Sequence, residues 1–482
     1  MSPSPVSPST ISPSAVSLSR VAVHQIIPFL HAADASGAHT LAARDALRAG
    51  GFDAEVFAGD MDEELREEAH PFAALDGLAP AGRTVLLYQL AVGSDLVGAL
   101  LRRPEPLLVN YHNLTPASFF WRWAPDWLAA VDSGRRDLYR LAGVARHAIA
   151  VSRFNQLDLV SAGYRSTSVV PPFVPMAGTG APNRSDGLLA AGGPTPSAAA
   201  PGDADGHSAD GHSADGAARS CGGEVGVGAG GPSGPGAGAS ELSGRDAGAG
   251  GPSGRGAGAA WLFVGKLLPH KAAHDLLQSL AVYRRIFDAS ATLTLVGGEP
   301  VPSYSAALRE LADALGLAGA VHFLGRVDDR TLESAYRSAD VLVCLSDHEG
   351  FCFPLLEAMR HRVPVVAFGT AAIPETVGDA GLVLRRKDPL TVAAAVDRVT
   401  GDRSLRDRLD VAAQRRLDTF APTAVATQFV AEVRRIIERQ ELVPRSALRS
   451  ASPSGALASP AGAGAGTAAG AGTGTGAGAG GR

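Results

Sequence analysis

The stretch VLVCLSDHEGFCFPLLEAMRHRVPVVAF, Val341–Phe368, decides how the rest of the chain is read. Its opening Val/Leu run reads as a buried strand ending at Ser346, and VPVVAF reads as a second. Between them lie a short polar loop, Asp347 to Gly350, and a helix beginning near Phe353. Near-continuous apolar runs suit parallel strands covered on both faces, and a strand–helix–strand unit supplies that cover. The order puts Glu349 at a strand's carboxyl end and Glu357 one to two turns into the helix, so both acids can face one cleft. The amides of Gly350, Phe351 and Cys352 at the helix start would suit an anionic group. Either glutamate alone reads equally well as a solvated acid.

Working outward, the same alternation recurs in both directions. VAVHQIIPFL, DAEVFAG, VLLYQL, LLVNYHN, HAIAVS and TSVVPP precede it as short strands, and helical stretches such as SGAHTLAARDALRAG separate them. WLFVG, TLTLVG, VHFLG and GLVL continue the pattern around the quoted stretch. This predicts an α/β chain with two doubly wound, mainly parallel, Rossmann-like sheets facing a cleft. Gly and Pro, 58 and 32 in a chain of 482, mark what lies outside the sheets. Residues 1–20 are Ser/Pro-rich, 177–260 are dominated by Gly, Ala, Ser and Pro, and 451–482 are mostly Gly and Ala. Such compositions bury too little apolar surface to offset the entropy of ordering, so disorder is expected there. Two domains remain, 21–176 and 261–450.

A formal net charge of −5 argues against a dedicated nucleic-acid binder. Three cysteines (Cys221, Cys344, Cys352) are too few for a disulfide framework and point to a reducing compartment. No apolar run approaches the roughly 20 residues that span a bilayer, and the first 20 residues lack a secretory pattern, so a cytoplasmic setting is expected.

Further chemistry clusters at strand ends. In WLFVGKLLPHKAAHDLL, Gly265 permits a sharp turn, and Lys266 and Lys271 lie five apart, with Lys271 beginning a helix. Two cations at such a turn suit a diphosphate, whose departure needs charge neutralisation. His112, in LLVNYHNLTP, ends another strand, where a functional and a structural histidine are both possible. In LVGGEP, Gly297 and Gly298 admit either close backbone approach to a ligand or simple turn chemistry. Glu375 is either a ligand contact or a loop acid, and FFWRWAPDWLAAV, with Trp121, Trp123 and Trp127 beside Arg122, is either packing, a surface for an aromatic, glycan or lipid, or a membrane contact. Asp60-Met61-Asp62 falls in a charged run, and Asp203-Ala204-Asp205, His207 and His212 fall in the Gly-rich tract; no metal site is expected from them.

The pair Glu349-GFCFPLL-Glu357, followed by Ala358-Met359 and Pro364-Val365-Val366, resembles the donor-site motif of retaining glycosyltransferases of family four. The resemblance implies the GT-B architecture and a metal-independent transfer of sugar from a nucleotide-diphosphate donor, with no cofactor. It assigns Glu349 to the donor sugar hydroxyls, Glu357 to the ribose and His112 to the transferred sugar. Lys266 and Lys271 fall where that family usually carries Arg and Lys on the diphosphate, and Ala272 stands where it usually carries Gly. Gly37, in HAADASGAHT, corresponds to a glycine loop facing the phosphates, and the first domain would take the acceptor: a glycan, a lipid or a small molecule, with peripheral membrane contact possible. The last helical stretch, APTAVATQFVAEVRRIIERQEL, would cross back onto that domain. The rival readings are an epimerase or phosphorylase on the same double sheet, and a catalytically silent nucleotide-sugar-binding module.

Overall fold

The structure, a computed structural model, describes residues 21–31, 34–78, 82–173 and 258–442. The expected disorder of 1–20, of 451–482 and of nearly all of 177–260 therefore lies outside the described residues. Of that last tract Gly258, Ala259 and Ala260 are described, and Ala260 already opens a strand.

The first sheet comprises β1 (Ala22–Leu30), β2 (Val56–Met61), β3 (His70–Pro71), β4 (Thr84–Leu90), β5 (Leu107–Tyr111), β6 (His147–Ala150) and β7 (Thr167–Val169). The second comprises β8 (Ala260–Val264), β9 (Thr292–Val296), β10 (Val321–Gly325), β11 (Val341–Cys344), β12 (Val365–Phe368) and β13 (Leu382–Leu384). Their orders are β3-β2-β1-β4-β5-β6-β7 and β10-β9-β8-β11-β12-β13, with every pairing parallel. Each order reverses at its centre, between β1 and β4 and between β8 and β11. In open α/β sheets ligands bind beyond the carboxyl ends at that reversal. Gly265 and Lys266 follow β8, and the loop bearing Glu349 follows β11, so the cations and the acid emerge from adjacent central strands.

Two segments cross between the domains. Helix Pro422–Arg439 buries Val425, Phe429, Val433, Ile436 and Ile437 against Val23, Leu47, Phe52 and Leu87 of the first domain. In the other direction, Phe120 and Ala124 are buried in the core of the second domain, with Trp123 and Trp127 packed against it. Trp123 meets Tyr304 edge-on at 5.2 Å, and its carbonyl accepts from the Ser303 hydroxyl at 2.9 Å. Packing thus accounts for two of the tryptophans, while Trp121 stays 64% exposed beside Arg122. Among the described residues no helix is long and apolar enough to cross a membrane.

Local geometry departs from the sequence reading at two points. β11 ends at Cys344, two residues before Ser346. Lys271 closes a 3-10 turn, Pro269–Lys271, and the helix starts only at Ala273. Between them Ala272 takes the left-handed conformation at φ 51°, which breaks helical continuity and is unfavourable for a residue with a Cβ. Gly297 (φ 141°) is not a cleft residue: a Cβ there would lie 2.1 Å from the Gly265 carbonyl oxygen, so its bareness serves the packing of two turns.

Candidate active site

A cleft opens between the domains beyond both sets of strand ends, with an empty volume of about 1060 Å³ counted out to solvent. Its walls bring together His112 from the first domain with Lys266, Lys271, Glu349, Gly350, Phe351, Cys352 and Glu357 from the second.

Glu349 is its electrostatic centre. The Lys271 ammonium donates to both Glu349 oxygens at 2.8 Å, with the carboxylate 7% and the lysine side chain 21% exposed. Burial opposes the lysine's charge, but the Glu349 carboxylate beside it outweighs this, so Lys271 titrates above its ordinary value and stays charged. Lys266 is buried in the same wall, and its charge reaches Asp34, the cap of helix Ala35–Ala49. Burial raises the Asp34 carboxyl, while hydrogen bonds from Ser36 and the charge of Lys266 pull it back. One turn into helix Phe353–Arg360, Glu357 accepts from the buried Tyr336 hydroxyl at 2.6 Å, and the Tyr336 ring stacks on His361.

His112 is oriented by a buried amide chain. Gln25 Nε2 donates to the Thr40 carbonyl at 2.9 Å, so Gln25 must turn its oxygen towards Gln89, whose Nε2 donates to it at 2.6 Å. Gln89 therefore turns its own oxygen towards His112 Nε2, 2.7 Å away, and that nitrogen carries the ring proton. Burial holds the His112 pKa down to about 4, which leaves the ring neutral with its Nδ1 lone pair free of the proton. The signal was visible as Gln25 and Gln89 interrupting apolar strand runs, yet alternation alone does not say which strands become neighbours.

The two walls meet where sequence reading gave no warning. Asn113, at φ 114°, faces His348 with Nδ2 and Nε2 2.9 Å apart. Asn155 Nδ2 donates to the Gly350 carbonyl at 3.2 Å. A Cβ on Gly350 would lie 2.6 Å from the His112 carbonyl oxygen and 2.7 Å from Asn113 Cβ, so only glycine allows this approach. Glu375 lies away from the cleft and accepts from the Arg153 backbone N–H at 2.6 Å, pinning one domain to the other. Gly37 also falls outside the cleft walls; Ala35 and Ser36 reach it instead. A Cβ on Gly37 would lie 2.8 Å from the His31 carbonyl, so this glycine seats the helix on the end of β1.

Residues 259–402 match the family described as glycosyl transferases, group 1. That match takes in the whole second sheet, from β8 to β13. D-inositol 3-phosphate glycosyltransferase of Corynebacterium diphtheriae is 32% identical over 171 residues, which cover 34% of this chain and 39% of the relative. O-antigen chain mannosyltransferase B of Escherichia coli is 33% identical over 146 residues, 30% of this chain and 38% of the relative. The chain thus spans about two fifths of those relatives. Solved structures extend the likeness to both domains. Sucrose-phosphate synthase of Thermosynechococcus elongatus aligns over 87% of this chain and 100% of its own (TM-score 0.54, 17% identity). Anabaena HepE, solved with UDP and glucose, aligns over 86% and 99% (TM-score 0.53, 17% identity). The fold is GT-B, and the segment that matches the group 1 model forms the wall that carries the lysines and glutamates.

Proposed function

We propose that the chain is a retaining glycosyltransferase that moves a sugar from a nucleoside-diphosphate donor, in the manner of family four, to a hydroxyl acceptor. The juxtaposition that carries this reading is Lys271 clamped on Glu349 at the β8/β11 reversal, with Lys266, Glu357 and His112 in the same cleft. The nucleotide would lie along the group 1 wall, its ribose on Glu357 and its diphosphate on Lys266 and Lys271. Glu349 and the neutral His112 would hold the sugar hydroxyls, the histidine accepting at Nδ1. In the transfer the bond from the anomeric carbon to the β-phosphate oxygen breaks, and a bond to the acceptor oxygen forms on the same face. The acceptor proton passes to the departing phosphate, and the two lysines balance the charge that develops there. Every step uses groups of the chain and the two substrates, so neither a cofactor nor a metal is invoked.

Uridine is favoured as the base because HepE was solved with UDP and with UDP-glucose. The acceptor is a polyol, glycan or lipid-linked hydroxyl entering from the first domain, and the exposed Trp121 beside Arg122 is the feature that would touch a membrane surface. The cytoplasmic setting expected from the cysteine content goes with this reading. A thermal-shift panel of nucleotide sugars tests it. A donor at 100 times its dissociation constant stabilises the fold by about 2.7 kcal/mol, whereas a flat response to every uridine, guanosine and adenosine diphosphate sugar would overturn the proposal.

A further inference from the structure

Beneath Glu349 lies a second piece of chemistry that the transfer does not use. Cys344 ends β11 and Cys352 caps helix Phe353–Arg360; both are buried free thiols, and their sulfurs lie 3.8 Å apart. Cys352 forms part of the cleft wall, so a small solute in the cleft meets it. Both thiols and the Glu349 carboxylate fall within 4.8 Å of one another. That grouping resembles a soft-metal site, but both carboxylate oxygens are held by Lys271, which competes for the third ligand. The same ammonium instead favours a thiolate in the pair.

We infer that Cys344 and Cys352 form a dithiol modification site, which a peroxide closes to a disulfide across the loop that carries Glu349. One of the two sulfurs attacks one peroxide oxygen and releases water, giving a sulfenic acid. The other thiol then displaces a second water as the sulfur–sulfur bond forms. Two thiols and one peroxide give one disulfide and two waters. Closure draws the sulfurs from 3.8 Å to about 2.05 Å. The intervening loop is fastened from outside, Gly350 O by Asn155, Phe351 O by the Thr376 hydroxyl and Asp347 by Lys387. The contraction must therefore be taken up at the two cysteines, one of which, at φ 73°, already has a left-handed backbone.

The full chain with Cys221→Ser, treated with hydrogen peroxide and then alkylated, tests this without reference to glycosyl transfer. Both cysteines fall in one tryptic peptide, because Arg337 and Arg360 are its nearest cleavage points, so a protease cutting after Glu349 is needed. The expected product has lost two hydrogens and both alkylatable thiols, keeps its two halves linked after that cut, and is restored by dithiothreitol. Cys344→Ala and Cys352→Gly each abolish the link, and near-ultraviolet circular dichroism confirms their folding. Persistence of both thiols under peroxide that oxidises free glutathione would overturn the inference, as would a sulfinic acid on one cysteine with the other still alkylatable.

Discussion

Replacing Lys271 by Met probes the centre of the cleft twice, once through stability and once through binding. At 2.8 Å and an effective dielectric constant near 20, the Lys271–Glu349 attraction is about 6 kcal/mol before the cost of desolvation. Removing one partner of a buried pair typically costs about 3–5 kcal/mol, because the other charge is left buried and uncompensated. With the lysine side chain 21% exposed, water reaches part of the site and the lower end, about 3 kcal/mol, is expected. Urea unfolding of Lys271→Met, Glu349→Gln and the double variant measures it, and the double variant should lose less than Lys271→Met alone because no orphaned carboxylate remains. Binding gives the second readout. A truncated lysine–phosphate contact costs about 2–5 kcal/mol, or roughly 30- to 5,000-fold in nucleoside-diphosphate affinity. Additive losses in the double variant, or Lys271→Met within about 0.5 kcal/mol of wild type, would refute the buried pair as the organiser of the cleft.

Gly350→Ala forces a methyl group within 2.6 Å of the His112 carbonyl and should cost about 1–3 kcal/mol as the walls part, read as a lower urea midpoint with weakened donor binding. Tyr336→Phe removes the hydroxyl that fixes Glu357, so affinity for UDP should fall several-fold while inorganic pyrophosphate binds as before; equal effects on both would remove the ribose role. Gln89→Leu releases the His112 tautomer, and nitrogen-15 NMR should show the ring proton shared between Nδ1 and Nε2 instead of fixed on Nε2. Burial holds His112 and His348 near a pKa of about 4 against an unfolded value of 6.5. The unfolded chain therefore binds more protons between those values: stability is complete above pH 6.5 and declines as pH falls towards 4. His348→Asn should flatten that decline, and an unchanged slope would count against a neutral His348.

The sheets were legible because parallel strands buried on both faces must be almost wholly apolar, which leaves blocks such as VLVC and VVAF in the sequence. The second-domain half of the site was legible for the same reason: strand ends at the reversal are where ligands bind, and charged residues there stand out against apolar runs. The first-domain half was less so. Gly37 looked like a phosphate-loop glycine, but its bareness serves helix seating, and sequence alone does not say which side of a glycine is crowded. Asn113, Asn155 and Gly350 act only because two walls meet, a contact between residues as far apart as 235 positions that no local pattern encodes. The left-handed Ala272 and Cys352 were equally hidden, since neither residue type announces a positive φ.

Stereochemistry of transfer is the most direct test of the central claim. Given the donor with the largest thermal shift and a polyol acceptor, proton NMR of the anomeric signal shows which linkage forms. An α-configured donor should give an α-linked product as free nucleoside diphosphate accumulates. A β-linked product, or a donor that binds tightly and is never consumed, would contradict the account.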